Sequence, residues 1–380
     1  MKYMSPKFQL GCILSGIFLG VLAFQLVGNR VSKFDPDKVG LGLNTTSAVS
    51  YNRNLVISSG NPRMLIPAIQ SARESRDHVV LWLGASQLHA INHYEQGDDL
   101  AVGYANLQST NNKNGDTYVQ CSLGNANFHE MLCSYLMLRG LDVKVDTLLI
   151  ALTYDDLREA GIRPEVRKWM ESPKIWLTKT QPGELRSLQE ELNKLETNQG
   201  VPNSPVARNP TSGTPQEQLE AEIVSGLVSF WTAYGKRGQI RSMIRIFLRS
   251  FAARILGGVF QRRTPEVPKV IKSWNQGALE TLITVAIKDG LRICLYKQPH
   301  RPGLQPFLHN RQDYDRWHES IEAMARKTPQ IHYQDFETIV PASLWGLTNE
   351  GRPDCFHFQD KGHRILGTAI NTWLQSLPKH

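Results

Sequence analysis

Apolar runs with the look of buried strands alternate along this chain with stretches of helical period. The clearest run is 79–83, Val-Val-Leu-Trp-Leu, which is apolar on both faces and ends in Gly84-Ala85-Ser86. A strand without a polar face suits the middle of a parallel sheet covered by helices on each side. Further strands are predicted at 100–104, 117–123, 145–152, 291–296 and near 331–333. Helices are predicted at 64–75, up to Arg139-Gly140, and over 277–288, 311–327 and 361–374. Strands and helices in this alternation predict an α/β domain, an open parallel sheet in a three-layer sandwich.

Two regions break the alternation. Residues 8–27 form an apolar span interrupted only by Gln9, Ser15 and Gln25, long enough to cross a bilayer as a helix, with Lys2 and Lys7 before it. A cleavable signal peptide is the competing reading. The run is long for one and no small-x-small site precedes Asn29-Arg30, so an uncleaved transmembrane anchor (1–28) holding an extracytoplasmic domain is expected. Residues 29–76 are polar and turn-rich, a stalk ending in the leading helix. The core then runs over 77–163 and 274–380, split by a helical insertion at 164–273. Within the insertion, 236–260 places Ile240, Met243, Ile244, Phe247 and Phe251 on one stripe and Arg237, Arg241, Arg245 and Arg249 on another. That pattern fits either a helix lying on a membrane or a membrane-embedded partner, or one packed on the core.

Of the 380 residues 41% are hydrophobic, ample for a core, and the net charge of +8 suits an acidic surface such as anionic lipid. No nucleic-acid module is visible. The five cysteines have neither metal-site spacing nor the density of a disulfide framework. His89 and His93, four apart, could share a helix face but lack a third ligand. No metal and no cofactor is called for.

The candidate chemistry lies at the two ends of the core. Ser86 follows the first strand, where α/β sheets collect ligands. On its own it could equally be a helix-capping serine. Far downstream, Asp354-Cys355-Phe356-His357 offers a base and its orienter three residues apart, the two groups that make a serine hydroxyl nucleophilic. Cys355, between them, reads as a bystander thiol.

Together these segments resemble the SGNH (GDSL-like) hydrolase superfamily, in which a serine follows the first strand and Asp-x-x-His precedes the last helix. The resemblance covers roughly 76–160 and 290–376. It implies a flavodoxin-like sandwich, Ser86 as nucleophile, His357 as base and Asp354 as its orienter. Gly124, after the 117–123 strand, matches the glycine whose backbone N–H serves the oxyanion hole. At the third block, Thr153-Tyr154-Asp155-Asp156, Asp155 stands where the family has an asparagine donor. An ionised carboxylate cannot donate, so either Asp155 is protonated or turned away, or Asn125 or Asn127 substitutes. The anchor, the variant serine block and the ending His357-Phe358-x-x-x-Gly362-His363 look most like extracytoplasmic acyl-transfer proteins of envelope polymers, of which the D-alanyl transfer protein of teichoic-acid modification is the type. The implied activity is a membrane-anchored serine esterase or O-acyltransferase acting on an acylated carbohydrate or another acyl donor or acceptor. The alternative is a non-catalytic, membrane-tethered assembly or binding protein that keeps the fold, and Asp155 is the feature that speaks for it.

Overall fold

A computed structural model describes residues 44–47, 50–112, 115–170, 267–304, 310–348 and 352–378, with single positions at Ser15 and Leu26. The chain divides into two compact units, 1–40 with 199–261 and 41–198 with 262–380. All but those two single positions belong to the second. The anchor at 8–27, the 236–260 helix and nearly all of the insertion lie outside the described residues. Among the described residues no helix is long and apolar enough to cross a membrane.

Five long strands, β1 (His78–Gly84), β2 (Asp116–Ser122), β3 (Thr147–Leu152), β4 (Arg292–Lys297) and β5 (Ile331–Asp335), form one sheet in the order β5-β4-β3-β1-β2. Every adjacent pair is parallel, and the two-residue strand Ser58–Ser59 extends the β2 edge. The order 2-1-3-4-5 is the flavodoxin-like winding, with its switch point between β1 and β3. The chain leaves β1 toward β2 and then returns past it to β3. With right-handed crossovers, the helices of these two steps fall on opposite faces. Accordingly α1 (Ala101–Asn112) packs with the last helix, α5 (Asp360–Ser376), whereas α2 (Phe128–Gly140) packs with α3 (Lys269–Lys288). The fourth crossover helix, α4 (Arg311–Lys327), joins the α2 side, where the Trp317 and Phe128 rings lie 6.1 Å apart.

β1 is buried along its whole length except His78, as its two-faced apolar run demands. Trp82, fully buried, reaches over β3 to donate from its indole nitrogen to the Tyr296 hydroxyl of β4 at 3.0 Å. The central strands are thereby cross-linked directly beneath the carboxyl edge of the sheet.

Three sequence expectations are corrected. The predicted strand at 100–104 is the start of α1. Ala101, Val102, Ala105, Asn106 and Ser109 are its buried face, a helical period that a five-residue window cannot separate from a strand. The predicted stalk already contributes to the domain at 44–47, where Thr46 and Ser47 pair with Ile91 and Ala90, and further on Ile57 is in the core and Ser58 pairs with Gln120. His89 and His93 share no helix face. The helix they were to share ends at His89, and His93 sits in the left-handed region at φ 54°.

Two buried histidines give the domain an acid sensitivity. His129 stacks on Trp274 at 3.4 Å, and His363 lies 3.0 Å from the Ala90 carbonyl. Burial lowers both to about 4, against their hydrogen-bonding partners. The unfolded chain protonates these rings near 6.5 and the folded one only near 4. Their contribution is therefore complete above pH 6.5 and is lost as the pH falls through that window. Between pH 7 and pH 5, urea unfolding of the wild type should lose about 2 kcal/mol more than that of His129→Gln. Equal losses would contradict neutral burial of His129.

Candidate active site

The serine is delivered by the end of β1. Gly84 closes the strand, Ala85 is extended, and Ser86 opens a four-residue turn of helix, Ser86–His89. A side chain at Gly84 would put its Cβ 2.4 Å from Leu88 Cδ1 and 3.1 Å from Ala151 Cβ, so any larger residue would have to push Leu88 of the helical turn aside. This places Ser86 at the carboxyl end of β1, beside the switch point.

Asp354 and His357 arrive from the other end of the chain on a two-stranded antiparallel ribbon, β6 (Trp345–Leu347) with β7 (Pro353–Phe358). The Asp-x-x-His segment is a strand of that ribbon. Within it Asp354 Oδ1 accepts from the backbone N–H groups of Phe356 (2.9 Å) and His357 (3.1 Å). His357 Nε2 lies 3.0 Å from Ser86 Oγ, and its Nδ1 lies 3.1 Å from Asp354 Oδ2. All three residues are buried, Ser86 being 8% exposed. Burial alone would raise the Asp354 carboxyl. Its hydrogen bond to His357, the charge on that ring and the two backbone N–H groups outweigh burial and hold it below the ordinary carboxylate range. An ionised Asp354 at Nδ1 fixes the tautomer that leaves the Nε2 lone pair facing the serine hydroxyl.

Two residues that sequence reasoning passed over hold the ribbon in place. Asn92, fully buried, donates from Nδ2 to Asp354 Oδ2 at 2.7 Å and to the Leu347 carbonyl at 3.3 Å, and its backbone N–H donates to the Phe358 carbonyl. From the end of β4, Arg301 Nη1 donates to the carbonyls of Gly346 (2.9 Å) and Asp354 (3.1 Å). Both strands of the ribbon are thus tied to the carboxyl edge of the sheet.

The residues proposed for the oxyanion hole separate. Gly124 and Asn125 form the turn after β2, with Asn125 in the left-handed region at φ 51°. The turn is clamped by Arg163, whose Nη2 donates to the Gly124 carbonyl at 2.7 Å while its guanidinium grips the buried Glu130 through both carboxylate oxygens. Asn127 is not available as a donor to substrate. Its Oδ1 caps α2 at the Glu130 N–H, and its Nδ2 donates to the carbonyls of Glu159 and Gly161. Asp155, in the 3-10 turn Tyr154–Leu157 after β3, pairs with Arg158 at 3.5 Å. Burial raises its carboxyl against the opposing charges of Arg158 and His300. Burial, with the Asp354 and Asp155 charges adding to it, pushes the Cys355 thiol up to about 12, so it stays protonated between Asp354 and His357 in the strand. Among the described residues no cluster of three or more His, Cys, Asp or Glu side chains is placed to hold a metal ion.

Neither a protein-family model nor a curated protein matches the chain. Among solved structures, a crystal structure described as a "putative acylhydrolase" from Bacteroides fragilis aligns over 81% of this chain and 93% of its own, at 10% identity and a TM-score of 0.33. A likeness that low carries no argument about fold or function.

Proposed function

We propose that this domain is a serine acyl-ester hydrolase or O-acyltransferase that works through an acyl-enzyme on Ser86. The observation that carries the reading is the 3.0 Å approach of His357 Nε2 to Ser86 Oγ, with Nδ1 on a buried Asp354. In this reading Ser86 Oγ attacks the acyl carbonyl as its proton passes to His357 Nε2. The bond to the alcohol then breaks, and the alcohol leaves with that proton. Water or an acceptor hydroxyl, deprotonated by His357, attacks the acyl carbon and frees Ser86. The oxyanion donors would be the backbone N–H groups of Ser86 and Gly124, since Asp155 as a carboxylate could only repel the developing charge.

A burst experiment tests this. On mixing with 4-nitrophenyl acetate, the protein should release close to one equivalent of nitrophenol per chain before the steady rate, and an added alcohol acceptor should speed the second phase. The second reading, a binding or assembly protein, is favoured by Asp155 at the position of an expected donor. It requires no burst.

The positioning role of Asn92 makes a separate claim. A Cβ at Gly346 would lie 2.0 Å from Asn92 Cγ, so Gly346→Ala must displace the amide that holds Asp354. The variant should lose about tenfold or more in kcat with little change in KM, because misplacing the base by even an ångström is costly. Wild-type kcat would remove Asn92 from the account.

The finer reading concerns place and substrate. We take the span at 8–27 as an uncleaved anchor and the acyl carrier as an envelope polysaccharide or related polymer, with the 236–260 helix against the membrane or a membrane-embedded partner. Apolar length, the arginine stripe and the sequence resemblance support this. Protease added to intact spheroplasts should digest the domain. Protection, or a mature chain starting near residue 30, would refute the anchored topology.

A further inference from the structure

A small crevice of about 20 Å³ has Gln87, Thr153, Tyr154, Gln298, Cys355 and Phe356 among its walls. Gln87 is the neighbour of Ser86, Thr153 and Gln298 follow β3 and β4, and Cys355 and Phe356 lie between Asp354 and His357. Strands β1, β3 and β4 are adjacent in the sheet, so their carboxyl ends bring these side chains together.

Four polar atoms in this wall lack a hydrogen-bond partner: Gln87 Oε1, Thr153 Oγ1, and both Nε2 and Oε1 of Gln298. The two glutamines are 5% and 4% exposed. Buried amides in folded proteins are nearly always bonded, and those elsewhere in this domain bond at least one of their two polar atoms, Gln120 and Asn371 leaving the other unpaired. Asn106, Asn127 and Asn275 each use both the oxygen and the nitrogen of their amide. Gln298 uses neither, in a crevice whose walls include Gln87, next to Ser86 in sequence, and Phe356, next to His357.

The wall chemistry selects an occupant. A carboxamide with both atoms open asks for a group that can donate and accept at one place. The Cys355 thiol stays protonated, and no Asp, Glu, Lys or Arg lines the crevice, so its walls offer no fixed charge to pair with an ion. Alcohols meet both conditions. We propose that Gln298, with Gln87 and Thr153, forms a subsite that takes one hydroxyl of the polyol that carries or receives the acyl group, the crevice having room for about one water-sized group. This rests on the reading of Ser86 as the nucleophile.

The test compares two acetyl esters, one with hydroxyls on the leaving alcohol (6-O-acetylglucose) and one without (4-nitrophenyl acetate), on the wild type, Gln298→Leu and the near-isosteric Gln298→Met. Both variants should lose about 10- to 100-fold in kcat/KM on acetylglucose, mostly through KM, and less than about threefold on 4-nitrophenyl acetate. Their melting temperatures should not fall, because no bond within the protein is removed. Equal losses on both esters, a lowered melting temperature with parallel losses, or no loss on either would overturn the subsite. If the wild type turns over neither ester, the Ser86 reading is what fails. The subsite is then judged by calorimetric titration of the wild type and Gln298→Met with methyl glucoside, where binding weakened in the variant supports it and equal or absent binding refutes it.

Discussion

Ser86→Ala is expected to lower acyl-ester turnover by about 10,000-fold or more while shifting stability by no more than about 0.5 kcal/mol. The hydroxyl makes its bond to the acyl carbon in the transition state, and nothing else in the site can replace it. The thiol that lies between Asp354 and His357 in the strand, Cys355, is held protonated by burial. His357→Ala should cost about as much, since Nε2 takes and returns the proton in both half-reactions. Asp354→Asn should cost less than either, because it leaves both reacting groups in place and disturbs only the tautomer of His357. Residual activity in Ser86→Ala near that of the wild type would mean that the Ser86–His357 contact has no part in turnover.

The largest expected loss of stability is at Trp82. It is fully buried, its ring meets Tyr296 edge-on at 6.1 Å, and its indole N–H is bonded to the Tyr296 hydroxyl. Trp82→Ala removes the packing and leaves the Tyr296 hydroxyl buried and unpaired, a change expected to cost about 3–5 kcal/mol. Trp82→Phe keeps most of the packing and loses the hydrogen bond, for about 1–3 kcal/mol. Urea unfolding midpoints should rank wild type, Trp82→Phe, Trp82→Ala. Equal midpoints for the two variants would show that the ring's volume is not what matters there. Because this cross-link spans β1 to β4 just below Ser86, the loss is expected to reach the site as well as the core.

What could be read from the chain follows from how local each signal is. The Gly84-x-Ser86 turn ends an apolar run within a few residues, and Asp354 and His357 are three apart, so each half of the triad carries its own local signature. Asn92 and Arg301 do not. Asn92 meets Asp354 across 262 positions, and a lone asparagine in a turn has no periodicity or spacing to mark that distant partner. Asn127 was misread for the same reason. Its place after Gly124 suggested substrate, yet its amide is consumed by the helix it caps and by the 159–161 carbonyls, contacts that only the folded chain makes. The segment at 100–104 failed on window length, since its helical face is visible only when Ala105 and Ser109 are counted. At Asp155 the sequence identified the departure from an amide donor, and the ion pair with Arg158 adds what it could not: the carboxyl already has a cationic partner within the protein.

The central claim is that His357 activates Ser86. It is tested most directly by treating the purified domain with a fluorophosphonate and locating the adduct by mass spectrometry. Stoichiometric phosphonylation confined to Ser86, lost in Ser86→Ala and slowed at least about 100-fold in His357→Ala, is the result the geometry requires. An unlabelled wild type, or labelling that proceeds equally fast without His357, would contradict it.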